Sequence, residues 1–153
     1  LEPSGTVAGS ESWLLLGNDS QSTITSPVAD VVSAAVTIQC DGPEDAGIIL
    51  DPETAYIANN TTTGLDNGAL TSNGGVAHLH VTAFSGFTSD TLLVEHSTDN
   101  SIWATLGTFA TVTGLTSERL VIAPATTVNR WLRVKDTVVG SGSVTRTVSF
   151  ARR

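Results

Sequence analysis

The chain has 153 residues, 40% of them apolar and only 14% charged, so a core can form while the surface must rely on Thr, Ser and Asn, as in β-proteins. A net charge of -8 and a pI near 4.5 argue against nucleic acid bound by sequence. No apolar run approaches the ~18 residues of a membrane span, so no membrane partner is expected.

Taken in chain order, helical periodicity is nearly absent, and apolar alternation of period two recurs between clusters of Gly, Asn, Asp and Ser. It predicts strands near 12–16, 28–40, 46–50, 76–84, 90–97, 101–109, 118–123, 128–136 and 143–150, a spacing that indicates an antiparallel β-sandwich, Ig-like or jelly-roll. Residues 51–75, "DPETAYIANNTTTGLDNGALTSNGG", have weak apolar patterning and read as a linker between strands 1–50 and a sandwich domain at 76–153. With no Met and a start at Leu1, the chain is expected to be processed or a piece of a longer protein. "NGG" at 73–75 and "GSGS" at 140–143 read as turns.

Alternation also assigns faces. Ala77, Leu79, Val81 and Ala83 should point one way and His78, His80 and Thr82 the other; Leu132 and Val134 should oppose Trp131, Arg133 and Lys135. Asp99-Asn100 supplies turn chemistry ahead of Trp103, which is expected to pack. Every Lys and Arg lies in 119–153, where Asp136 is the sole acid, whereas the other fourteen acids lie in 1–118. Either basic strands meet acidic ones inside one sheet, or an acidic face of one subunit meets a basic face of the next.

Chemistry-bearing motifs are sparse. His78-x-His80 has a spacing metal sites use, but only His96 remains as a further imidazole, and no cofactor is expected. Cys40, the single cysteine, closes an apolar strand and reads as a buried hydrophobe. No nucleophile elbow, triad spacing or phosphate loop is present, and no two acids stand out as a catalytic pair, so an enzyme is not expected.

Two stretches resemble a known family. "SPVADVVSAAVTIQCDGPEDAGIIL" (26–50) resembles the last strands of the tail-tube domain in major tail proteins of long-tailed bacteriophages. "VEHSTDNSIWATLGTF", "SERLVI" and "TVNRWLRV", within 73–134, resemble the extra C-terminal β-sandwich that many of those proteins carry. The resemblance implies a structural virion protein of the phage tail, with strands of a partial tube domain before an outward-projecting sandwich. Its partners would be copies of itself in stacked, hexameric rings and other tail proteins. It departs from the family at the N-terminus, where residues 1–25 are too few for the first half of a tube sandwich. The C-terminal stretch is also similar to discoidin-like carbohydrate-binding jelly rolls, through "STDNSIW" and "RWLR". That similarity implies a glycan-binding or decoration module, contacting host-surface glycans through Trp131 beside Arg133. His78 and His80, from their place on one strand face, read as a further ligand or interface patch.

Overall fold

The computed structural model describes residues 7–14, 17–25, 33–40 and 45–153. Nine strands are present among them: β1 (Glu11–Leu14), β2 (Gly17–Thr25), β3 (Ser33–Cys40), β4 (Asp45–Tyr56), β5 (Leu65–Asp66), β6 (Gly75–Ser97), β7 (Ala104–Thr108), β8 (Thr116–Ile122) and β9 (Trp131–Arg152). No helix long and apolar enough to cross a membrane occurs in the described residues. The protein is all-β, as its alternation requires.

The backbone of the fold is one antiparallel ladder. β6 and β9 pair from Gly75↔Arg152 to Ser97↔Trp131. The other edge of β6 takes β8 along Gly75–Val81 and β7 along Leu93–His96. The other edge of β9 takes β4, then β5 at Leu132 and Trp131; β1 pairs β4, while β2 and β3 form a separate two-stranded sheet.

The register of the long ladder shifts between Val81 and Ala83, between Ser85 and Phe87, and between Phe87 and Ser89. These irregularities divide it into two halves. Leu79, Val81, Val148, Phe150, Leu50 and Ile122 from one half join Leu92, Val94, Leu132, Val134, Phe109 and Val128 from the other in a single buried cluster. The sandwich is therefore one curled sheet facing itself across a shared core. Each such side chain contributes roughly 1.5–3 kcal/mol by leaving water.

Here the structure differs from the strand boundaries read from sequence. The pairs 76–84 with 90–97, and 128–136 with 143–150, are each one continuous strand. "GSGS" is not a turn but part of the bend in β9, facing the equally irregular Ser85–Ser89 of β6. Glycine is required there for space as well as for backbone angle: Gly86 and Gly140 have φ of 78° and 96°. A Cβ on Gly142 would lie 2.0 Å from the Ser85 carbonyl oxygen. Glycine bulges bend a sheet without ending it, and local composition reads them as loops.

The predicted faces hold along most of each strand. Ala77, Leu79, Val81, Leu132 and Val134 are buried, whereas His80, Thr82 and Lys135 are exposed. Ala83 is exposed rather than buried, because the bulge after Val81 resets the alternation. Within 51–75, the stretch expected as a linker, the end of β4 and all of β5 pair with β9, and Thr61 bridges to Lys135. Ile49 and Leu50, from the preceding segment, are buried. Residues 26–32 and 41–44 of the tube-like stretch, and the side chain of Cys40, lie outside the described residues.

Candidate functional site

Trp131 and Arg133 occupy outward positions at the start of β9; Arg133 binds an acid on a neighbouring strand, and Trp131 pairs with Asp66 in the ladder. Arg133 sits directly across from Glu95 on β6 and donates from Nε to Glu95 Oε2 at 2.7 Å. Its guanidinium also covers the ring of Trp103 at 4.2 Å from the centroid. Gly64 backs the same indole, since a Cβ there would lie 2.8 Å from two ring carbons. Trp103 therefore packs, as its sequence context suggests. The turn before it is held by Asp99, which accepts from Ser97 Oγ and from the Ser101 and Ile102 amides, each at 2.9 Å.

Trp131 is half-buried, with the Arg130 guanidinium 5.4 Å from its ring centroid. Arg130 in turn donates from Nε and Nη2 to the two carboxylate oxygens of Asp66, at 2.8 and 2.5 Å. These hydrogen bonds from Arg130 hold the Asp66 carboxyl below its ordinary range. The surface is thus a row of two arginine–carboxylate pairs, each with an indole beneath its guanidinium.

His78 and His80 stand elsewhere. They lie near the start of β6, His78 across from Ser149 and Arg119, while Trp131 pairs with Ser97 at the opposite end of the ladder. The structure does not bring the histidines together with Trp131 and Arg133. His80 is exposed and shares a hydrogen bond between Nδ1 and Ser117 Oγ. His78 is half-buried, and burial first, then the Arg119 charge, push its pKa down against the attraction of Asp45. His96 lies toward the far end of β6, where its Nδ1 accepts from the Asn129 amide at 3.2 Å. Among the described residues no group of three His, Cys, Asp or Glu is placed to hold a metal ion.

The most unusual chemistry is in the core. Val144, Arg146, Val148 and Phe150 all point inward from β9 and are all 0% exposed, so a guanidinium occupies an apolar row. Its Nη2 lies 2.7 Å from Asp136 Oδ2, its Nη1 3.3 Å from Asp90 Oδ2 and its Nε 3.4 Å from Asp51 Oδ2. The Tyr56 ring covers the guanidinium at 4.2 Å, and the Tyr56 hydroxyl donates to Asp51 Oδ1 at 2.5 Å. Asp136 Oδ1 accepts from the Asn60 amide. Burial first, then the bond to Asp51, pushes the Tyr56 hydroxyl up to about 12.

This cluster ties the two halves of the sandwich. Arg146, Asp51 and Tyr56 belong to the half built on β4, and Asp90 and Asp136 to the half built on the opposite stretch of the ladder. Its signal was present in the sequence. In 90–92–94, 132–134–136 and 144–146–148–150, a charged residue takes an inward place in an otherwise apolar alternation. Such residues must find partners in the core, and here they find one another.

The charge partition along the chain resolves the same way. Arg119 and Arg153 both bind Asp45, Arg130 binds Asp66, Arg133 binds Glu95, and Arg146 binds three aspartates. Arg152 instead donates to the carbonyls of Val128 and Asn129. Basic strands meet acidic ones inside the chain. Compared with known proteins, the chain matches no family model and no curated protein.

Proposed function

We propose that the chain is a non-enzymatic structural subunit of a bacteriophage tail, a virion component that associates with copies of itself and presents its sandwich outward. The observation that carries this reading is the open border of the sheet. Among the described residues, β7 and β8 pair only with β6, so two strands leave one edge unpaired. Unpaired edges are templates for strand addition by another chain. The family resemblance supplies the particular assembly, stacked rings with other tail proteins as neighbours.

Because the described arginines other than Arg152 already hold carboxylates within the chain, copies with a net charge of -8 repel one another. Added salt should therefore promote association through screening, the reverse of what an acidic-to-basic contact between subunits requires. Electron microscopy and sedimentation of the purified protein test the reading. Rings or stacked oligomers are expected, and Val121→Lys, which places a charge on the half-exposed Val121 of edge strand β8, should reduce them without loss of β structure. A monomer at every concentration and ionic strength would refute self-assembly.

A second reading, a carbohydrate-binding decoration module, is favoured by one observation: the half-buried indole of Trp131 lies at the outer surface beside Arg130 and Asp66. Glycan-array binding lost in a folded Trp131→Ala variant would support it. A blank array would count against it.

A further inference from the structure

We infer that the core cluster of Asp51, Asp90, Asp136 and Arg146 is a binding site for one proton, taken up on folding and carried by the Asp90 carboxyl. Charge count is the first ground. Three carboxylates surround one guanidinium where Asp51, Asp90 and Arg146 are fully buried and Asp136 is 2% exposed, and uncompensated charge in such a place is costly. Arg146 can neutralise only one of the three.

Each carboxylate has one hydrogen-bonded oxygen, and the surroundings of the second oxygen select which carboxyl takes the proton. Asp136 Oδ1 accepts from the Asn60 amide, while its Oδ2 has no hydrogen bond but faces Arg146 Nη2 as an ion pair at 2.7 Å. Asp51 Oδ1 accepts from the Tyr56 hydroxyl, while its Oδ2 has no hydrogen bond but lies 3.4 Å from Arg146 Nε as an ion pair. Asp90 Oδ2 accepts from Arg146 Nη1 at 3.3 Å, and its Oδ1 has no hydrogen bond and is not the oxygen that approaches the guanidinium. The second oxygens of Asp51 and Asp136 therefore face the guanidinium and that of Asp90 does not, so a proton on Asp90 Oδ1 removes the excess charge where the cation offsets it least.

The electrostatics agree in direction. Burial pushes Asp90 up to about 6 against the attraction of Arg146, with Asp136 and Asp51 adding to the rise. Asp51 is also raised, by burial first, but the Tyr56 hydrogen bond and Arg146 oppose that rise. A metal ion is the other way to balance such a cluster. Arg146 already occupies the position between the carboxylates, and no metal-holding group is found among the described residues.

A raised carboxyl binds its proton more tightly folded than unfolded. Its stabilising contribution is complete below the ordinary value of 3.8 and is lost as pH rises through about 6. That interval corresponds to a change on the order of a hundredfold in the folding equilibrium. His78 and His96, both lowered by burial, act in the opposite sense as pH falls below 6.5. A comparison with Asp90→Asn cancels them.

Unfolding equilibria of the wild-type chain and of Asp90→Asn, measured side by side across pH, test the site. Wild type should lose stability relative to the variant as pH rises from 3.8 through about 6, and a constant difference would overturn the proposal. Should Asp90→Asn fail to fold, carboxyl-carbon NMR of the folded wild type reads the proton directly. Asp90 should titrate near 6; titration at or below 3.8, or retention of the proton by Asp51 or Asp136 instead, would overturn the assignment. So would a downward shift of the Asp90 titration on adding calcium or potassium chloride at fixed ionic strength, since that would make the site one for a cation.

Discussion

Two arginines on β9 and at its threshold illustrate how one side chain takes opposite roles. Arg146 is 0% exposed and meets three aspartates, whereas Arg130 is 55% exposed and meets one, Asp66, in a two-pronged contact of better geometry. The exposed pair has the shorter bonds and the smaller consequence, because water replaces either partner at little cost. In the core no water substitutes, so removing one member leaves the others unpaired. Environment, more than bond length, decides which arginine holds the fold.

The largest expected effect follows from that contrast. Arg146→Met leaves three carboxylates facing one another in the core and should cost roughly 3–5 kcal/mol in denaturant unfolding. Acid should partly restore the variant, since protonated carboxyls no longer repel. Leu79→Ala, an apolar deletion in the same core, should cost about 2–5 kcal/mol with no such rescue, which separates loss of charge compensation from loss of packing.

Next in size is Gly142→Ala. The added methyl meets the Ser85 carbonyl and the Phe87 amide at the bend, and should cost about 1–3 kcal/mol as the two strands shift apart. Glu95→Gln, at a pair whose side chains are 22% and 9% exposed, should cost about 1 kcal/mol or less, read by thermal unfolding. Arg130→Ala should leave unfolding unchanged within error. A loss there comparable to that of Arg146→Met would erase the distinction between the two regions.

Acid sharpens the comparison from the other side. Burial works to raise Asp45, but hydrogen bonds from Arg119 and Arg153 outweigh it and hold the carboxyl below 3.8. Its contribution is present above that value and is lost as pH falls through its lower folded value. Asp90 acts in reverse above 3.8, so the contributions of these two carboxyls are lost on opposite sides of the mildly acidic range.

Much of this was legible in the residues. The strand class, the buried faces of β6 and β9 and the Asp99 turn follow from alternation and side-chain chemistry at short range. The merging of four expected strands into two was not, because "SGFTS" and "GSGS" have loop composition and only their pairing with each other reveals a bend. At the candidate site, Trp131 and Arg133 lie on the outer face as read, but their capping partners Asp66 and Glu95 are distant in sequence. His78 and His80 share a face, and among the described residues no third ligand joins them. Arg146 was the clearest missed signal: a charge in an inward register position announces a partner, and only the fold says which.

The most direct measurement of whether the two halves are joined through the buried charges is a double-mutant cycle on Arg146→Met and Asp136→Asn, read by urea unfolding. Coupling of roughly 1–3 kcal/mol is expected between residues 2.7 Å apart in a closed core. Additivity within about 0.3–0.5 kcal/mol would show that they do not hold the sandwich together.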